Sequence, residues 1–579
     1  MEDILLCRWE DIVKNSGNNV AIIDGNNMYS YLDVNNKIKQ YIKLIKDNDV
    51  TENTGIGIYM KASLDYWAAV MATLYCNCFF VPIDTALPDE RVVQMLNLSN
   101  TSNIVTNEDN IGLKFDNCNA IKNNHSAILE KDVDIAGNID CDLAYILFTS
   151  GTSGVPKGVI ISREGLYNLV NWYGNKYSVN NQTRILQLSN ISFDVSIEEF
   201  FGTLLNGGIV VISDDKCKYH RKWFSDIVDK YNITMIQMIP RMAKDLICEY
   251  DKLNSLDIII LGAEQLTEDV KNKVLSAGYR LYNHYGPTEC TVDALTSECK
   301  LDEEVNIGYP IDNTKCYIVD DNDCVIDEVN TIGELVVEGP GVAWGYINNS
   351  EETNKSFIAT DKKNIKAYKT GDIVLKNDKG QFVYKERKDN QIKINGQRIE
   401  IEEINNQVMR IEGVKDCITL VINEGNNKVI TLFWCGEADE NSIESHLKKL
   451  LPVYMIPVAY LKVDKMPTTV NDKIDKNALN ELYMQYKEEK KGETGNKLDV
   501  DGTLERILEI IGSVMEISTS DLAEKMDLSL EQLGMDSMAY MQIIVLVEEE
   551  YDVELGDDFL LASEFDNLAD LVMSIKSNV

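Results

Sequence analysis

The sequence predicts an α/β protein followed by a smaller α+β part and an all-α module. Short β-prone segments alternate with helical patterns through the first two-thirds of the chain, which is typical of partly parallel sheets covered by helices. Beyond residue 372 the β-like pieces become shorter, and after residue 500 apolar residues recur at helical spacing. With 579 residues, the chain is long enough for several domains, each with its own core.

The elements follow in order along the chain. In the α/β part, strands are predicted at 20–24, 55–60, 103–106, 208–213, 234–238 and 257–261, and helices at 64–75 and 221–231. The α+β part carries predicted helices at 401–410 and 441–451, and a polar stretch without apolar periodicity follows at 486–497. These patterns predict a large N-terminal subdomain (1–386), a small α+β subdomain (387–480), a linker (481–500) and a four-helix bundle (501–579).

Charge and composition exclude several classes of partner. The formal net charge is −38, from 94 acidic and 56 basic residues, which argues against nucleic acid or an anionic membrane as the main partner. No apolar run is long enough to span a bilayer, and the N-terminus lacks the basic region of a signal peptide. An odd count of 13 scattered cysteines is typical of reduced thiols. These observations predict a cytoplasmic protein.

A loop after an apolar segment carries phosphate-binding chemistry. Residues 143–148 are β-prone and lead into 149–158, which read Thr-Ser-Gly-Thr-Ser-Gly-Val-Pro-Lys-Gly. Glycines let backbone amides approach phosphate oxygens, hydroxyls add donors and a lysine adds charge. Pro156 and Gly158 depart from the Walker A pattern at the positions where it needs Gly and Ser or Thr. The loop therefore predicts a polyphosphate site of another kind.

This loop resembles the phosphate-binding motif of the adenylate-forming enzymes, which include acyl-CoA synthetases, luciferases and the adenylation domains of nonribosomal peptide synthetases. Further segments resemble motifs of that family in the same order along nearly the whole chain, at 75–84, 283–289, 333–335, 368–372, 387–396, 451–457 and 467–475. The resemblance implies a ligase that joins a carboxylate to AMP, with release of pyrophosphate, and then transfers the acyl group to a thiol.

The resemblance also implies roles for individual residues. Lys473 bridges the substrate carboxylate and the α-phosphate, Lys157 contacts phosphate, and Glu289 holds Mg²⁺. Asp389 is the hinge of the small subdomain. Tyr285 stacks on adenine, Asn283 reads its amine, and Asp372 binds the ribose with help from Arg387. The implied ATP-binding set is Thr149, Ser150, Gly151, Thr152, Ser153, Gly154, Lys157, Gly262, Ala263, Glu264, Asn283, His284, Tyr285, Gly286, Thr288, Asp372, Arg387 and Lys473.

The segment 193–198 resembles the motif with which adenylation domains hold the α-ammonium of an amino acid. Asp194 is the implied counter-charge, and the implied pocket lining is Asp194, Val195, Glu198, Gln237, Ile259, Leu261, His284, Val292, Asp293 and Lys473. Unpaired buried carboxylates are unfavourable, so Glu198 and Asp293 indicate a basic amino acid such as ornithine or lysine. A hydroxyl or carboxamide side chain, bound by His284 and Gln237, is the alternative.

The C-terminal module contains one serine in a special context. Residues 533–538 read Leu-Gly-Met-Asp-Ser-Met and interrupt the helical pattern, so Ser537 is a plausible helix N-cap. The segment also resembles the motif of acyl and peptidyl carrier proteins, in which the serine carries 4′-phosphopantetheine. The module is strongly acidic, with 19 acidic residues against Arg506, Lys525 and Lys576 from position 501 onward. We therefore expect a carrier domain with phosphopantetheine on Ser537.

These features together predict an adenylation–carrier protein that activates one amino acid and loads it onto Ser537. Its expected cofactors are ATP, Mg²⁺ and phosphopantetheine. Its expected partners are a phosphopantetheinyl transferase and a downstream condensation or tailoring enzyme in trans. The alternatives are a ligase for a non-amino carboxylic acid with a fused acyl carrier, and a degenerate scaffold that presents the carrier module. Asp194 argues against the ligase for a non-amino acid. The set of implied ATP-site residues argues against the degenerate scaffold.

Overall fold

A computed structural model describes residues 3–107, 119–122, 142–151, 154–212, 215–218, 221–248, 250–360, 366–388, 392–394, 396–424, 427–467, 474–492, 502–515, 517–523, 525, 526, 528, 530, 533, 535, 537–551, 553, 555, 565 and 567–579. The chain divides into two compact units. The first comprises 1–214 and 225–400, and the second comprises 215–224 and 401–579. The predicted four-part division by residue number is not tested by this partition and stays a prediction.

The first unit contains two large sheets, one six-stranded antiparallel sheet and a hairpin. Its strands are β1 (Val20–Asp24), β2 (Asn27–Ser30), β3 (Gly55–Tyr59), β4 (Phe79–Ile83), β5 (Asn103–Thr106), β6 (Asn119–Lys122), β7 (Leu143–Thr149), β8 (Lys157–Ser162), β9 (Arg184–Gln187), β10 (Ile209–Ile212), β11 (Met235–Met238), β12 (Ile258–Leu261), β13 (Arg280–Tyr285), β14 (Leu295–Glu298), β15 (Tyr309–Pro310), β16 (Lys315–Val319), β17 (Val325–Ile326), β18 (Ile332–Glu338), β19 (Phe357–Ala359), β20 (Lys366–Lys376), β21 (Phe382–Arg387), β22 (Ile392–Ile394) and β23 (Gln397–Ile399).

The two large sheets are mostly parallel. One has the order β15-β14-β13-β12-β11-β9-β10-β1-β2, and the other has the order β6-β5-β3-β4-β7-β8. Central strands such as β3 and β4 are buried along their whole length, as expected for parallel strands covered on both faces. The third sheet runs β17-β16-β18-β20-β19, with β21 also paired to β20, and β22 pairs with β23. The predicted α/β class is confirmed.

Helices in the N-terminal 400 residues are short to medium in length, and several begin at a capping side chain. They span Ile4–Ser16, Tyr31–Asp47, Leu64–Tyr75, Asp89–Leu98, Arg163–Tyr177, Asp194–Ile197, Arg221–Tyr231, Pro240–Ala243, Glu268–Ser276 and Ser350–Ser356, with π-helical turns at Glu198–Gly202 and Lys244–Cys248 and 3₁₀ turns at Asp215–Lys218 and Thr288–Cys290. Ser30 and Asp33 form a capping box. The two helices predicted in this region, 64–75 and 221–231, have these bounds in the structure.

The second unit contains a small α+β part and a helical module. Strands β24 (Val414–Glu424), β25 (Asn427–Gly436) and β26 (Ala459–Lys462) form one sheet beside the helices Ile401–Val408 and Glu440–Leu450, and a 3₁₀ turn spans Val453–Met455. The helical module is built from Gly502–Met515, Thr519–Ala523, Ser537–Tyr551 and Leu568–Asn578. Their apolar faces share one core that includes Ile507, Ile544 and Leu571. The predicted helical module at the C-terminus is confirmed.

One helix was not anticipated from the sequence. Lys476–Gly492 is helical, although residues 481–492 fall within the predicted linker. Leu479 and Tyr483 are buried in a cluster with β24–β26, and Tyr486 packs against it, so the helix has an apolar face over its first half. The Glu and Lys residues that follow are good helix formers and extend it. Residues 493–500 lie outside the described residues.

Candidate active site and carrier module

The phosphate-type loop connects two paired strands of the first unit. Strands β7 and β8 are antiparallel, and Thr149 pairs with Lys157 across them. A Cβ on Gly151 would lie 2.0 Å from the carbonyl oxygen of Val155, and Gly154 has φ +77°, so both positions require glycine. The Thr149 hydroxyl is buried without a hydrogen-bond partner. A buried donor of this kind suits a phosphate oxygen as ligand. Thr152 and Ser153 lie outside the described residues.

Lys157 is held at the base of this loop. Its side chain is 5% exposed, and its ammonium lies 3.1 Å from a carboxylate oxygen of Glu352. The same ammonium lies 5.5 Å from the centre of the Tyr346 ring. A buried ammonium with one carboxylate partner is a point charge that can bind phosphate.

Glu289 lies in the 3₁₀ turn Thr288–Cys290 and is fully buried. Both of its carboxylate oxygens lie 3.0 Å from Nη1 of Arg398, and the Tyr346 hydroxyl donates to it at 2.6 Å. Burial alone would raise the pKa of Glu289, but the Arg398 guanidinium and the Tyr346 hydroxyl outweigh it and hold the pKa below its ordinary value. Glu289 is therefore an ionised carboxylate, the ligand type that Mg²⁺ prefers.

The predicted ribose-binding residues are brought together on β13, β20 and β21. Asp372 and Arg387 are register partners, and Nη1 of Arg387 lies 3.2 Å from the Asp372 carboxylate. The Tyr285 hydroxyl donates to the same carboxylate. Asn283 lies nearby on β13 and donates to the carbonyl of Asn306 at 2.9 Å. These groups form a polar cluster on neighbouring elements of the first unit.

The remaining predicted nucleotide residues lie in two tight turns. Ala263 has φ +65° and follows Gly262 at the end of β12. Glu264 accepts a hydrogen bond from the amide of Gly396 at 2.7 Å. A Cβ on Gly286 would lie 2.0 Å from the carbonyl oxygen of Val292, so only glycine fits there.

Asp194 lies at the first position of the short helix Asp194–Ile197. It is half-buried and accepts a hydrogen bond from the Thr288 hydroxyl at 2.6 Å. Burial raises the pKa of Asp194, although that hydrogen bond and the nearby Lys393 ammonium oppose the rise. Asp194 and Glu289 are thus anchored to the same turn, and Val195 follows Asp194 against the main core.

Two buried acids face a histidine and a glutamine in one cluster. Glu198 is fully buried and accepts a hydrogen bond from the Gln237 amide at 2.8 Å. The Asp293 carboxylate lies 2.5 Å from Nδ1 of His284, and the Tyr177 hydroxyl lies 2.5 Å from Nε2. The second Glu198 oxygen and the Gln237 carbonyl have no hydrogen-bond partner. Val292 is buried beside Asp293.

The protonation of this cluster follows from its burial. Burial lowers the pKa of His284 to about 4 and raises the pKa of Asp293 to about 7. Burial and the neighbouring Asp293 raise the pKa of Glu198 well above its usual range. Because His284 is neutral, its ring supplies no positive charge to Glu198 or Asp293. These two carboxyl groups therefore retain protons near neutral pH.

Strand register corrects two predicted pocket residues. Gln237 pairs with Ile260, and Ile260 pairs with Tyr282, which lies two residues before His284. Side chains of register partners lie on the same face of a sheet, and successive residues alternate. Ile259 and Leu261 therefore lie on the face opposite to Gln237 and His284, and their assignment to the pocket was wrong. Ile260 and Gly262 lie on the same face as Gln237 and His284, and a Cβ on Gly262 would lie 3.5 Å from Cβ of His284.

Some residues of the site were missed by the sequence reasoning. Tyr173 and Tyr177 lie one turn apart on the helix Arg163–Tyr177, and both interact electrostatically with Glu198 and Asp293. Nothing in their sequence context distinguishes them from core aromatic residues. Arg398 was missed because its partner Glu289 is distant in sequence. Lys473 and Asp389 lie outside the described residues.

The carrier-like serine begins a helix of the second unit. The helix Ser537–Tyr551 starts at Ser537 itself, which agrees with the predicted break in the helical pattern but makes Ser537 the first residue of the helix and not its N-cap. The preceding Leu533 and Met535 are buried in the core of the module. A helix N-terminus favours an attached phosphate, because free backbone amides and the helix dipole lie there. In the part of the chain that the structure describes, no helix has the length and apolarity needed to cross a membrane.

Known proteins resemble both parts of the chain. Residues 9–347 match the family of AMP-binding enzymes, and residues 505–573 match the phosphopantetheine attachment site. Surfactin synthase subunit 2 of Bacillus subtilis (strain 168) is 31% identical over 485 residues, which cover 82% of this chain and 13% of that protein. Gramicidin S synthase 1 of Brevibacillus brevis is 29% identical over 586 residues, which cover 98% of this chain and 52% of that protein. The chain thus spans only part of either relative.

A solved structure has the same fold over nearly the whole length. It is that of holo-PA1221, described as an NRPS protein containing adenylation and PCP domains. It aligns with a TM-score of 0.79 at 21% identity and covers 99% of this chain and 96% of that one. The order of an α/β unit, a small α+β part and a helical module is therefore a known arrangement.

Proposed function

Since the chain belongs to the AMP-binding enzymes and carries a phosphopantetheine attachment module, we propose that it activates an amino acid with ATP and loads it onto its own Ser537. In this reaction an amino-acid carboxylate attacks the α-phosphorus of ATP, pyrophosphate leaves, and the acyl group then passes to a thiol with release of AMP. The observation that carries the proposal is the shared turn that anchors Asp194 and Glu289, because it holds the acid proposed to bind the α-ammonium next to the acid proposed to bind Mg²⁺.

The chain's own residues would bind and orient the nucleotide. The β- and γ-phosphates would accept hydrogen bonds from the loop 149–154, through the hydroxyls of Thr149 and Ser150 and the amides of its glycines. Lys157 would add a positive charge. Tyr285 and Asn283 face the base, and Asp372 and Arg387 hold the ribose. Charge neutralisation and in-line positioning carry most of phosphoryl-transfer catalysis. Lys473 remains the proposed link between substrate carboxylate and α-phosphate.

Two further groups complete the proposed reaction. The donor chemistry fits Mg²⁺, since Glu289 is an ionised, buried carboxylate. When bound, Mg²⁺ would neutralise phosphate charge. Ser537, at a helix N-terminus, fits the phosphodiester of phosphopantetheine, and this group would supply the accepting thiol. A phosphopantetheinyl transferase must then act on Ser537 first, and a condensation or tailoring enzyme would receive the product in trans. The four-part domain division and the hinge at Asp389 belong to the same proposal.

A basic side chain is the proposed substrate feature. Glu198 and Asp293 are both buried, and the neutral His284 leaves them without a full positive partner. An ornithine or lysine side chain would supply that charge in the desolvated cluster. The residues Tyr173 and Gln237 add polar contacts, and Gly262 leaves space where a side chain would stand. The alternative, a non-amino acid activated onto a fused acyl carrier, leaves Asp194 without a function.

Removing one acid of the cluster should weaken activation of basic amino acids. We expect Glu198→Gln or Asp293→Asn to lower kcat/KM for ornithine or lysine by about 10- to 100-fold, since loss of a desolvated charge pair costs about 2 kcal/mol or more. Pyrophosphate exchange across a panel of amino, aryl and fatty acids measures this. Asp257→Asn is the matched control, because Asp257 is exposed and pairs with Arg280 at the surface. Unchanged preference in both variants would exclude a cationic substrate.

Binding of a basic amino acid should release protons. Asp293 has a raised pKa of about 7, so the pocket holds protons below that pH, and a cationic side chain displaces them. We expect about one proton released per ligand at pH 6.5 and an affinity that rises by up to about tenfold per pH unit between 6 and 7. Calorimetry in two buffers of different ionisation enthalpy measures the release. Affinity that is independent of pH in this window would contradict the charge assignment.

The same pKa shift makes the stability of the free protein depend on pH. A carboxyl whose pKa is raised on folding binds its proton more tightly in the folded state, so the free energy of unfolding falls as pH rises from about 4 to about 7. A bound basic amino acid offsets this loss of stability, because its positive charge stabilises the ionised carboxylate. The shift in Tm caused by ligand is therefore expected to be larger at pH 8 than at pH 6.

A further inference from the structure

The Arg398 guanidinium contacts the carboxylate of Glu289, which is proposed to bind Mg²⁺. Nη1 of Arg398 lies 3.0 Å from both oxygens of Glu289, and the Tyr346 hydroxyl takes a further position on Oε1. Glu289 is fully buried and the Arg398 side chain is 18% exposed. Glu289 and Arg398 thus form a largely desolvated ion pair. Both carboxylate oxygens of Glu289 contact the same guanidinium nitrogen.

Mg²⁺ and this guanidinium cannot share Glu289. Magnesium binds carboxylate oxygen at about 2.1 Å and needs octahedral space for its other ligands. A guanidinium nitrogen in contact with the same two oxygens fills that space and repels a second cation. One cation must leave before the other binds.

The segment that carries Arg398 is held by other residues of the proposed nucleotide site. The Ser150 hydroxyl donates to the Arg398 carbonyl at 2.9 Å, and Glu264 accepts from the Gly396 amide at 2.7 Å. Gly396 has φ +76°, which favours glycine at the turn of the β22–β23 hairpin. Nucleotide that binds Ser150 and Glu264 therefore competes with the contacts that hold Arg398 in place.

A second cation of the same hairpin lies among the acids of the site. Desolvation lowers the pKa of Lys393 on β22, while the carboxylates of Asp372 and Asp194 raise it. The hairpin thus brings positive charge to the acids that are proposed to meet Mg²⁺, the ribose and the α-ammonium. These charges keep the site electrostatically balanced when no substrate is bound.

We propose that Arg398 and Mg²⁺ bind Glu289 alternately, so that the β22–β23 hairpin closes the metal site whenever magnesium and nucleotide are absent. The inference rests on the proposed function, because it takes Glu289 as the magnesium ligand. Its consequence is that free Mg²⁺ binds this site weakly and that metal entry is coupled to release of Arg398. Arg398 is a positioning residue in this scheme.

Binding of Mn²⁺ to the full-length protein without nucleotide tests the alternation. Titration followed by electron paramagnetic resonance should give weak binding in the wild type and at least about tenfold tighter binding in Arg398→Gln. The double variant Glu289→Gln with Arg398→Gln should lose this gain. Lys385→Gln removes a positive charge from an exposed position on β21 and should behave as the wild type.

Thermal unfolding gives a second readout that does not depend on activity. Arg398→Gln leaves the buried Glu289 carboxylate without its cation, so its Tm in EDTA should fall, and millimolar Mg²⁺ should recover part of the loss. Neither the wild type nor the double variant should show this recovery. If Arg398→Gln does not fold, Arg398→Lys replaces it, since a lysine ammonium makes a weaker contact and should give intermediate Mn²⁺ affinity.

Two failures are distinguishable. Equal Mn²⁺ affinity in the wild type and Arg398→Gln would overturn the alternation. The proposed function would survive this result if Glu289→Gln still weakened Mn²⁺ binding in the presence of ATP. If Glu289→Gln left Mn²⁺–ATP binding unchanged, Glu289 would not be the metal ligand, and both the magnesium assignment and the alternation would fail.

Discussion

Replacing Ser537 with alanine should abolish loading of the protein while leaving amino-acid activation intact. The substitution removes the only atom to which the phosphopantetheine can be attached in this scheme, so the expected loss of covalent acyl-protein is complete. Pyrophosphate exchange depends on the nucleotide-site residues of the first unit and on the proposed role of Lys473, and none of these is changed by the substitution. Exchange should therefore stay within about twofold of the wild type, because alanine at a helix start costs at most about 1–2 kcal/mol within the helical module. Radiolabelled amino acid and gel autoradiography measure the first effect.

The control for this variant is another serine of the same module. Ser577 is exposed near the end of the helix Leu568–Asn578 and donates to the carbonyl of Ser574. Ser577→Ala should load as the wild type does. Loading that persists in Ser537→Ala would show that the acyl group is attached elsewhere and would remove the carrier assignment.

Replacing Asp194 with asparagine should reduce activation of amino acids by about 30- to 3,000-fold in kcat/KM. The change keeps the shape and the Thr288 contact but removes the proposed counter-charge of the α-ammonium, and loss of one partner of a buried charge pair costs about 2–5 kcal/mol. Pyrophosphate exchange with the preferred amino acid measures the effect. The KM for ATP should change little, since asparagine can still accept the hydrogen bond from Thr288 that anchors this turn.

Stability separates this effect from unfolding. Burial raises the pKa of Asp194, which means that the folded protein disfavours its charge, so the neutral Asp194→Asn should be at least as stable as the wild type at pH 8. A variant with reduced Tm and reduced exchange would indicate a structural role. Full activity with an intact fold would remove Asp194 from substrate binding and favour the non-amino acid alternative.

Sequence patterns predicted those elements whose bounds are set by apolar periodicity and by residues that interrupt it. The helix Leu64–Tyr75 and the start of the helix at Ser537 agree with the sequence reading, because apolar periodicity and a break in it define them. The strand leading into the phosphate-type loop is also present as β7. The linker reading was incomplete, since the apolar face of Lys476–Gly492 is defined by packing against β24–β26.

The site was predictable where residue chemistry is explicit in a motif, and not where it depends on register or distant contacts. Strand pairing shows that Ile260 and Gly262, and not Ile259 and Leu261, lie on the same face of the sheet as Gln237 and His284. One sequence does not contain the register between neighbouring strands, so this could not be predicted. Arg398 carries no signal of its own, because its role arises from a contact with Glu289 over 109 residues of sequence.

One chain is proposed both to activate a basic amino acid and to carry it. The most direct measurement is intact-protein mass spectrometry of the phosphopantetheinylated protein after incubation with ATP, Mg²⁺ and single members of a panel of amino, aryl and fatty acids. One added acyl group is expected with ornithine or lysine, localised by peptide mapping to the modified Ser537 and absent from Ser537→Ala. Acylation by a non-amino acid alone, or no modification of Ser537 by a phosphopantetheinyl transferase, would contradict it.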